Sequence, residues 1–264
     1  MPFQGKIVWI TGASSGIGAD LAVELASKGA ILVLSARRKE QLDVVRMRCQ
    51  RPEEHFILPL DVTDFSTHQA KFDALLERFP RVDVIIVNAG IGQRSSIMKS
   101  DFETERQIMD VNFFGCTSLT RVVLPHFLAR NQGQIAVISS IMGFVSTPRR
   151  ATYAASKHAL HGYYEGLRSE LHKTGVSISM VCPGYVNTEI SIHSLTSKKL
   201  AFGHMDDQHL KAMPADVFVK KAVRGLSRRK PVILIGGLER FAPLLARLSP
   251  ALLRFLIPRV ITSD

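Results

Sequence analysis

Seven short apolar segments, separated by longer segments with helical periodicity, constrain the fold of this chain more than any other feature. Apolar residues run through each short segment without alternating with polar ones, which is typical of strands buried on both faces of a parallel sheet. The predicted strands are Lys6–Thr11, Ile31–Ser35, His55–Leu60, Val82–Asn88, Gly133–Ser140, Val176–Cys182 and Pro231–Gly236. Helical periodicity marks Gly16–Lys28, Thr67–Arg78, Glu103–Arg130 and Thr152–Lys173. This alternation predicts a doubly wound, seven-stranded parallel α/β sheet of the Rossmann type, with helices on both faces.

The length of 264 residues suits one large α/β domain, and no linker, repeat or low-complexity tract divides it. We therefore predict a single domain over residues 1–237. Within it, residues 187–214 interrupt the alternation, and long segments of this kind are usually functional lids or disordered. We expect a lid. Its histidines follow no metal-ligand spacing, so no metal is expected there; they are His193, His204 and His209.

Composition predicts a globular protein in a reducing compartment. Hydrophobic residues make up 46% and charged residues 22% of the chain, close to the average for folded domains. Cys49, Cys116 and Cys182 are few and far apart, which argues against a disulfide scaffold. We see no secretory signal and no apolar stretch that is long enough to span a bilayer. The expected location is the cytoplasm.

Positive charge is concentrated at the C-terminal end. The formal net charge is +11, and residues 215–264 hold ten Lys and Arg against three Asp and Glu. A basic end of this kind can meet anionic lipid, nucleic acid or an acidic partner, or it can simply be a solvated face. No nucleic-acid motif accompanies the charge, so nucleic-acid binding is not expected.

Residues 238–264 are predicted to form a basic, amphipathic, helical extension. Arginines recur every seven residues, which places them along one side of a helix: Arg240, Arg247 and Arg254. Apolar residues supply another face: Phe241, Leu244, Leu245, Leu248, Leu252, Phe255 and Leu256. Three prolines divide the segment into short helices: Pro243, Pro250 and Pro258. Such a segment can make peripheral contact with a membrane, or it can pack against the domain or a partner subunit.

A glycine-rich loop joins the first predicted strand to the first helix. It runs from Thr11 to Gly18 with the spacing G-x-x-x-G-x-G. Glycines allow a tight turn and a close approach to a pyrophosphate, and the helix N-terminus favours its negative charge. An ordinary strand-to-helix turn is the alternative for a loop of this type. The candidate cofactor-binding residues in it are Gly12, Ser14, Ser15, Gly16, Ile17 and Gly18.

The end of the second predicted strand indicates which dinucleotide binds. A site for NAD normally has an acidic residue there, which holds the ribose 2′-hydroxyl. Here the sequence is Ser35-Ala36-Arg37-Arg38, with no acid. Guanidinium groups suit phosphate geometry, so Arg37, assisted by Arg38, predicts NADP(H) through its 2′-phosphate. Alternatively, the two arginines only begin a solvated helix.

Tyr153 and Lys157 lie four residues apart in a predicted helix and so share a face. A tyrosine is a poor acid or base near neutrality, because its reference pKa is about 10. A nearby ammonium stabilises the phenolate, which makes acid–base chemistry feasible. The alternative is an amphipathic helix with an exposed lysine.

Together these motifs resemble the short-chain dehydrogenases/reductases of the classical type, over the chain up to about Pro231. The matching residues occur in the expected order: Thr11–Gly18, Asp61-Val62, Asn88-Ala89-Gly90, Asn112, Ser140, Tyr153/Lys157 and Pro183–Thr188. In one departure, the usual Asn-Asn-Ala-Gly has Val87 in its first position, while Asn88 is kept. Details of the motifs are nearest to NADP-linked hydroxysteroid and lipid dehydrogenases.

The resemblance implies four catalytic residues. Tyr153 would give its proton to a carbonyl oxygen during reduction, and Ser140, thirteen residues earlier, would hydrogen-bond that oxygen. Lys157 would favour the phenolate and hold the nicotinamide ribose. Asn112 would anchor a water in the proton relay.

The resemblance also assigns the remaining cofactor contacts. Asp61 and Val62 would contact the adenine. Asn88, Ala89 and Gly90 would line the cofactor beside the fourth strand. The carboxamide and diphosphate would meet residues in the motif after the sixth strand: Pro183, Val186 and Thr188.

The substrate pocket is expected beside Ser140 and under residues 187–214. Its candidate lining is mostly apolar, which favours a hydrophobic substrate, although some members can pack in the core instead. The candidates are Ile141, Met142, Phe144, Val145, Tyr185 and Ile190. The residues expected to contact substrate directly are Ser140, Met142, Tyr153 and Tyr185.

The predicted function is hydride transfer between NADP(H) and a carbonyl or secondary alcohol of a steroid-, lipid- or retinoid-like molecule. The alternative is a non-catalytic NADP-binding sensor or scaffold. Relatives often assemble through the helices near 103–130 and 152–173, which implies a homodimer or homotetramer.

Overall fold

Seven strands occur in the computed structural model, which describes residues 2–188, 194–196 and 212–260. They are β1 (Ile7–Thr11), β2 (Ile31–Ser35), β3 (Phe56–Ile57), β4 (Val84–Val87), β5 (Gly133–Ile138), β6 (Val176–Pro183) and β7 (Val232–Ile235). All pairings are parallel, in the order β3-β2-β1-β4-β5-β6-β7. The predicted doubly wound parallel sheet is confirmed.

Helices follow the strands with the expected alternation. They are α1 (Gly16–Ser27), α2 (Lys39–Arg48), α3 (His68–Arg78), α4 (Phe102–Met109), α5 (Gly115–Ala129), α6 (Ala151–Glu170), α7 (Ala215–Ser227), α8 (Ala242–Leu248) and α9 (Pro250–Val260). A π-helical segment, Asp110–Phe114, separates α4 from α5. The predicted continuous helix over Glu103–Arg130 is therefore two helices with a π-helical joint that contains Asn112.

Two hydrophobic cores lie on opposite faces of the sheet. β1 shows why: Val8 and Ile10 join the core under α1 and α7, while Ile7 and Trp9 join the core under α3, α5 and α6. Successive side chains of a strand point to opposite faces, so a strand covered on both faces must be apolar throughout. This explains the nearly continuous apolar runs in the central strands.

The two edge strands depart from the prediction. β3 has only two paired residues rather than six, because Pro59 lacks an N–H and Leu58 and Leu60 continue the contact only as single backbone bonds to Leu34 and Ala36. The prediction that β7 is buried on both faces was wrong. Its Val232 and Leu234 are 36% and 40% exposed, since only the face under α7 is covered.

The tail, residues 238–260, begins with a 3₁₀ turn at Leu238–Phe241 and continues in α8 and α9. Pro250 begins α9, as expected, but Pro258 lies inside α9 and does not end it. Ala242, Ala246 and Leu253 pack against the core on the α5–α6 side. No helix among the described residues is long and apolar enough to cross a membrane.

The fold brings the predicted site residues to one edge of the sheet. The carboxyl ends of β1, β4, β5 and β6 carry, in turn, the glycine-rich loop, Asn88–Gly90, Ser139–Ser140 and Pro183–Thr188. The strand order changes direction between β1 and β4, and ligands of doubly wound sheets bind at such a switch point.

Candidate active site

The glycine-rich loop is held tightly between β1, β4 and α1. Gly12 has a φ of +64°, and a Cβ there would lie 2.8 Å from Ala89 Cα. A Cβ on Gly18 would lie 2.2 Å from the Gly12 carbonyl oxygen. Asn88 Nδ2 donates to the carbonyl oxygens of Thr11 and Gly12, at 3.0 and 3.1 Å. Asn88 therefore holds the loop in its conformation. These hydrogen bonds are present although Val87 stands where the family usually has an asparagine.

A surface cavity of about 370 Å³ opens at the N-terminus of α1. Thr188 closes one side of it, since a Cβ on Gly16 would lie 3.7 Å from the Thr188 side chain. Its lining residues are Ser14, Ser15, Gly16, Ala19, Asp20, Arg48, Asn187 and Thr188. Arg48 is paired with Asp20 at 3.2 Å. The cavity thus joins the glycine-rich loop to the motif after β6, as a pyrophosphate site would.

Arg37 and Arg38 lie two and three residues after the end of β2 and are exposed. The Ser35 carbonyl oxygen accepts from Ala13 N–H at 3.1 Å, which places the start of this segment against the glycine-rich loop. Neither guanidinium forms an ion pair or hydrogen bond with the described residues. The Asp61 carboxylate accepts from the Thr63 N–H and hydroxyl at 2.9 and 2.8 Å. Both arginines therefore keep their donors available at this edge.

Tyr153 and Lys157 are both buried on α6. Lys157 Nζ lies 5.6 Å from the centroid of the Tyr153 ring and donates to the Ile138 carbonyl oxygen at 3.0 Å. No carboxylate in the described parts of the chain pairs with it. An ammonium is costly to bury without a counter-ion, so its position beside the phenol calls for a functional explanation.

Ser140 joins the ends of β5 and β6. Its Oγ accepts from Met142 N–H at 3.1 Å and contacts the Pro183 carbonyl oxygen at 3.4 Å. The second contact is long for a hydroxyl, so the hydrogen can turn toward another acceptor. Ser140 is buried, as are Tyr153 and Lys157.

Asn112 ties the loop after β4 to α6. Its Oδ1 accepts from Ile91 N–H at 2.8 Å, and its Nδ2 donates to the Ile91 carbonyl oxygen and to Ser156 Oγ, both at 3.0 Å. Ser156 Oγ in turn donates to the Tyr153 carbonyl oxygen at 2.7 Å. A Cβ on Gly90 would lie 3.3 Å from Asn112 Oδ1 and 3.7 Å from Lys157 Nζ. Hydrogen bonds thus connect Asn112 to the helix that carries Tyr153 and Lys157.

Gln93 is a buried positioning residue that the sequence analysis missed. Its Oε1 accepts from the backbone N–H groups of Thr152 and Tyr153, at 2.9 and 3.2 Å. These are first-turn donors of α6, which have no partner within the helix. Leu195 is held by the two residues beside Gln93, since its N–H donates to the Gly92 carbonyl oxygen at 3.0 Å and its carbonyl oxygen accepts from Arg94 N–H at 2.8 Å. The one sequence signal for this role is that Gln93 lies three residues after the Asn88-Ala89-Gly90 motif.

His161 lies beneath the Ser139–Ser140 loop. Its Nε2 is 3.0 Å from Ser139 Oγ and 3.8 Å from Cys182 Sγ, and the Phe144 ring packs against it at 4.2 Å between centroids. Burial above all, together with the nearby charge of His158, lowers the pKa of His161 to about 4. The imidazole is therefore neutral near pH 7, and it supports the loop as a hydrogen-bonding group.

Acid should weaken the fold through His161. Its pKa is about 4 in the folded chain, against 6.5 for an ordinary imidazole, so between these pH values the unfolded chain binds a proton that the folded chain does not. The free energy of unfolding should then fall as pH drops from 6.5 to 4. His55, His68 and His126 also have lowered pKa values and act in the same direction.

Urea unfolding between pH 4 and 7 measures this effect. His161→Gln should take up as much as one proton fewer on unfolding and so show a shallower pH dependence. Equal slopes for the variant and the wild type would show that His161 is not the group responsible.

Glu239 links the tail to the site, although the sequence analysis gave the tail no part in it. Its Oε1 accepts from the backbone N–H groups of Tyr185 and Gly237, at 3.1 and 3.0 Å. A Cβ on Gly184 would lie 2.1 Å from that oxygen. The one available signal was that Glu239 is the only acid in residues 238–260, which also hold four arginines.

The predicted pocket lining divides into two groups. Ile141 and Val145 are buried in the core, which is the alternative that the sequence left open. Met142 and Tyr185 are half-buried beside Ser140 and the motif after β6, and Phe144 packs against the core. Ile190, most of the predicted lid and His193, His204 and His209 lie outside the described residues. Two described residues of that segment lie at the site, with Leu195 opposite Gln93 and Met213 opposite Val186 in short parallel bridges.

No group of three or more metal-ligating side chains occurs among the described residues.

Comparison with known sequences identifies relatives. Residues 6–199 match the family model for short chain dehydrogenase. The human protein "Dehydrogenase/reductase SDR family member 7" is 43% identical over 73% of this chain, and the match spans 58% of that protein's length. A Drosophila melanogaster "Dehydrogenase/reductase SDR family protein 7-like" is 32% identical over 94% of this chain and 78% of its own length.

Solved structures share the fold across the chain. A short chain dehydrogenase/reductase from Burkholderia phymatum, in complex with NAD, has a TM-score of 0.80 at 26% identity and covers 97% of this chain and 96% of its own. A gluconate 5-dehydrogenase from Burkholderia cenocepacia, in complex with NADP and tartrate, has a TM-score of 0.67 at 29% identity, over 71% and 74% of the two chains. Nicotinamide dinucleotides of both kinds therefore occur among these neighbours.

Proposed function

The chain belongs to the short chain dehydrogenase family, and from that premise we propose that it is an NADP(H)-dependent oxidoreductase. Its reaction would interconvert a carbonyl group and a secondary alcohol on an apolar molecule. The observation that carries this proposal is the buried Tyr153–Lys157 pair, with Lys157 Nζ at 5.6 Å from the Tyr153 ring centroid. This pair lies at the carboxyl edge of the sheet, which also carries the glycine-rich loop.

The residues present fit a dinucleotide. Gly12 and Gly18 leave no space for a Cβ, and the cavity at the N-terminus of α1 is lined by Ser14, Ser15 and Thr188. Backbone N–H groups at a helix start, together with small polar side chains, suit a pyrophosphate. The remaining cofactor contacts would come from residues around the same edge: Gly16, Ile17, Asp61, Val62, Asn88, Ala89, Gly90, Tyr153, Lys157, Pro183 and Val186.

The choice of NADP(H) over NAD(H) rests on Arg37. It stands where an acid would hold a ribose 2′-hydroxyl, and its guanidinium has no competing carboxylate within the described chain. Arg38, the next residue, is also exposed and adds positive charge. A 2′-phosphate offers both residues a partner, and an unphosphorylated ribose does not.

The nicotinamide, when bound, supplies or accepts the hydride. Tyr153 gives a proton to the carbonyl oxygen in reduction and takes it back in alcohol oxidation. The ammonium of Lys157 stabilises the phenolate between these events. Ser140 donates a hydrogen bond to the substrate oxygen and so holds it within reach of Tyr153. Asn112, through Ser156, and Gln93, through the first turn of α6, keep Tyr153 in position.

The substrate class follows from the exposed part of the lining. Met142 and Tyr185 are half-buried near the ends of β5 and β6, and apart from the Tyr185 hydroxyl their side chains are apolar. A ketone or secondary alcohol of steroid-, lipid- or retinoid-like character suits such a surface better than a charged metabolite. Members of this family generally act on small substrates and form oligomers, and we include a homodimer or homotetramer in the proposal.

The competing function is that of a non-catalytic NADP-binding sensor or scaffold. The presence of all four residues, Asn112, Ser140, Tyr153 and Lys157, favours the enzyme. Initial rates with NADPH and with NADH, across apolar ketones and aldehydes, distinguish the two functions. The enzyme turns over at least one of these carbonyls with a preference for NADPH. Tight NADPH binding without turnover of any of them would support the sensor.

A further inference from the structure

The outer face of α8 is apolar, where a helix facing water would be polar. Ala242 and Ala246 pack against the domain. Leu244 and Leu248 lie roughly opposite them on the helix and are 56% and 74% exposed. Packing within the described chain therefore accounts for only one of the two apolar faces.

The same arrangement continues along the rest of the tail. In α9, Leu253 packs against the domain, while Leu252 and Phe255 are 46% and 55% exposed. Leu238 and Phe241 are exposed in the 3₁₀ turn before α8. Exposed large apolar side chains thus recur from residue 238 to residue 255, and a group of exposed apolar side chains of this kind indicates an interaction site.

Positive charge borders these apolar side chains. Arg240, Arg247, Arg254 and Arg259 are exposed, and none of them pairs with a carboxylate in the described chain. Two of them lie over aromatic rings, Arg240 at 4.8 Å from the Phe241 centroid and Arg259 at 3.6 Å from that of Phe255. The single acid of the tail, Glu239, accepts backbone hydrogen bonds instead.

This combination selects one kind of partner. A second copy of the chain would meet the surface with the same residues, because a two-fold interface is self-complementary, and four arginines would then face four arginines. An anionic surface with an apolar interior satisfies both the arginines and the leucines. The helices have 7 and 11 residues, so they can lie in the headgroup region but cannot span a bilayer.

We propose that the outer face of the tail, formed by Leu244, Leu248, Leu252 and Phe255 with the four flanking arginines, docks on an anionic phospholipid bilayer. Glu239 fixes the start of the tail beside Tyr185, so docking brings the substrate side of the domain near the membrane. An apolar substrate dissolved in the bilayer would then lie close to the active site. This consequence rests on the proposed function, but the docking itself does not.

Flotation of the purified full chain with lipid vesicles tests the docking without any reference to activity. We expect binding to phosphatidylcholine vesicles that contain a third phosphatidylserine to be at least about tenfold tighter than binding to pure phosphatidylcholine. Raising the salt should weaken it, because surface charge is screened. Each of Arg247→Gln and Arg254→Gln should weaken binding about fivefold, the effect of one basic residue near such a surface.

The double variant Leu248→Glu/Phe255→Glu should lose at least about tenfold in binding, through lost apolar contact and added negative charge. Val44→Glu makes the same kind of change at a 63% exposed position on α2 and should bind as the wild type does. Circular dichroism confirms that each variant is folded.

Three results would overturn the proposal. One is wild-type affinity in the folded Leu248→Glu/Phe255→Glu variant. Another is equal binding to neutral and anionic vesicles. The third is an absence of vesicle binding, which assigns the surface to a protein; an oligomer that dissociates in the double variant would identify that protein as a second copy.

Discussion

Tyr153→Phe is expected to lower kcat for carbonyl reduction with NADPH by at least about a hundredfold, while the Kd for NADPH changes less than about threefold. The substitution removes only the hydroxyl, the group that transfers the proton, and acid–base catalysis of this kind contributes about 10² to 10⁴ in rate. The ring stays in its buried place beside Lys157, so the fold and the cofactor contacts are kept.

Tyr163→Phe is the matched control for this prediction. Tyr163 lies on the same helix, is half-buried, and its hydroxyl forms no hydrogen bond within the described chain. It should keep wild-type kcat and Kd. If Tyr153→Phe keeps more than about a tenth of the wild-type kcat, Tyr153 is not the acid and the proposed mechanism is wrong.

Arg37→Gln is expected to weaken NADPH binding by about 10- to 100-fold and to leave NADH binding within about twofold. A hydrogen bond to a charged group contributes about 1.5–3 kcal/mol, which corresponds to a change of that size. Since Arg37 has no partner among the described residues, its loss should not destabilise the domain. Arg38→Gln tests whether the second arginine shares the contact, and the double variant gives the combined effect.

Isothermal titration of both dinucleotides measures these affinities. Arg78→Gln, an exposed arginine at the end of α3, controls for the loss of one positive charge at a distance. A wild-type chain that binds NADH more tightly than NADPH would contradict the assignment of Arg37, whatever the variants do.

The central fold was predictable because its signals are local and repeated. The nearly continuous apolar runs of β1, β4, β5 and β6 follow from burial on both faces, and they indicate a parallel sheet. The ends of the sheet were harder to predict. The apolar residues of β7 gave no sign that one face would be left uncovered, because coverage depends on which helix crosses over it.

The positions of the glycine-rich loop, Asn88–Gly90, Ser140 and Pro183–Thr188 were also predictable, since each of these motifs follows a strand. Their supports were not. Gln93, His161 and Glu239 act through contacts with residues at least about twenty positions away, or with backbone N–H groups, and no pattern of neighbours marks them. The π-helical joint around Asn112 was not predictable either, because its residues continue the helical periodicity of the segments on both sides.

The most direct test of an NADP(H)-dependent oxidoreductase is to run the panel of ketones and aldehydes with NADPH in which both hydrogens at C4 of the nicotinamide are deuterium. For a ketone that turns over, we predict one deuterium on the carbinol carbon of the product by mass spectrometry, at a rate that Tyr153→Phe lowers at least about a hundredfold. NADPH that binds tightly but transfers no deuterium to any of these ketones or aldehydes would contradict the account.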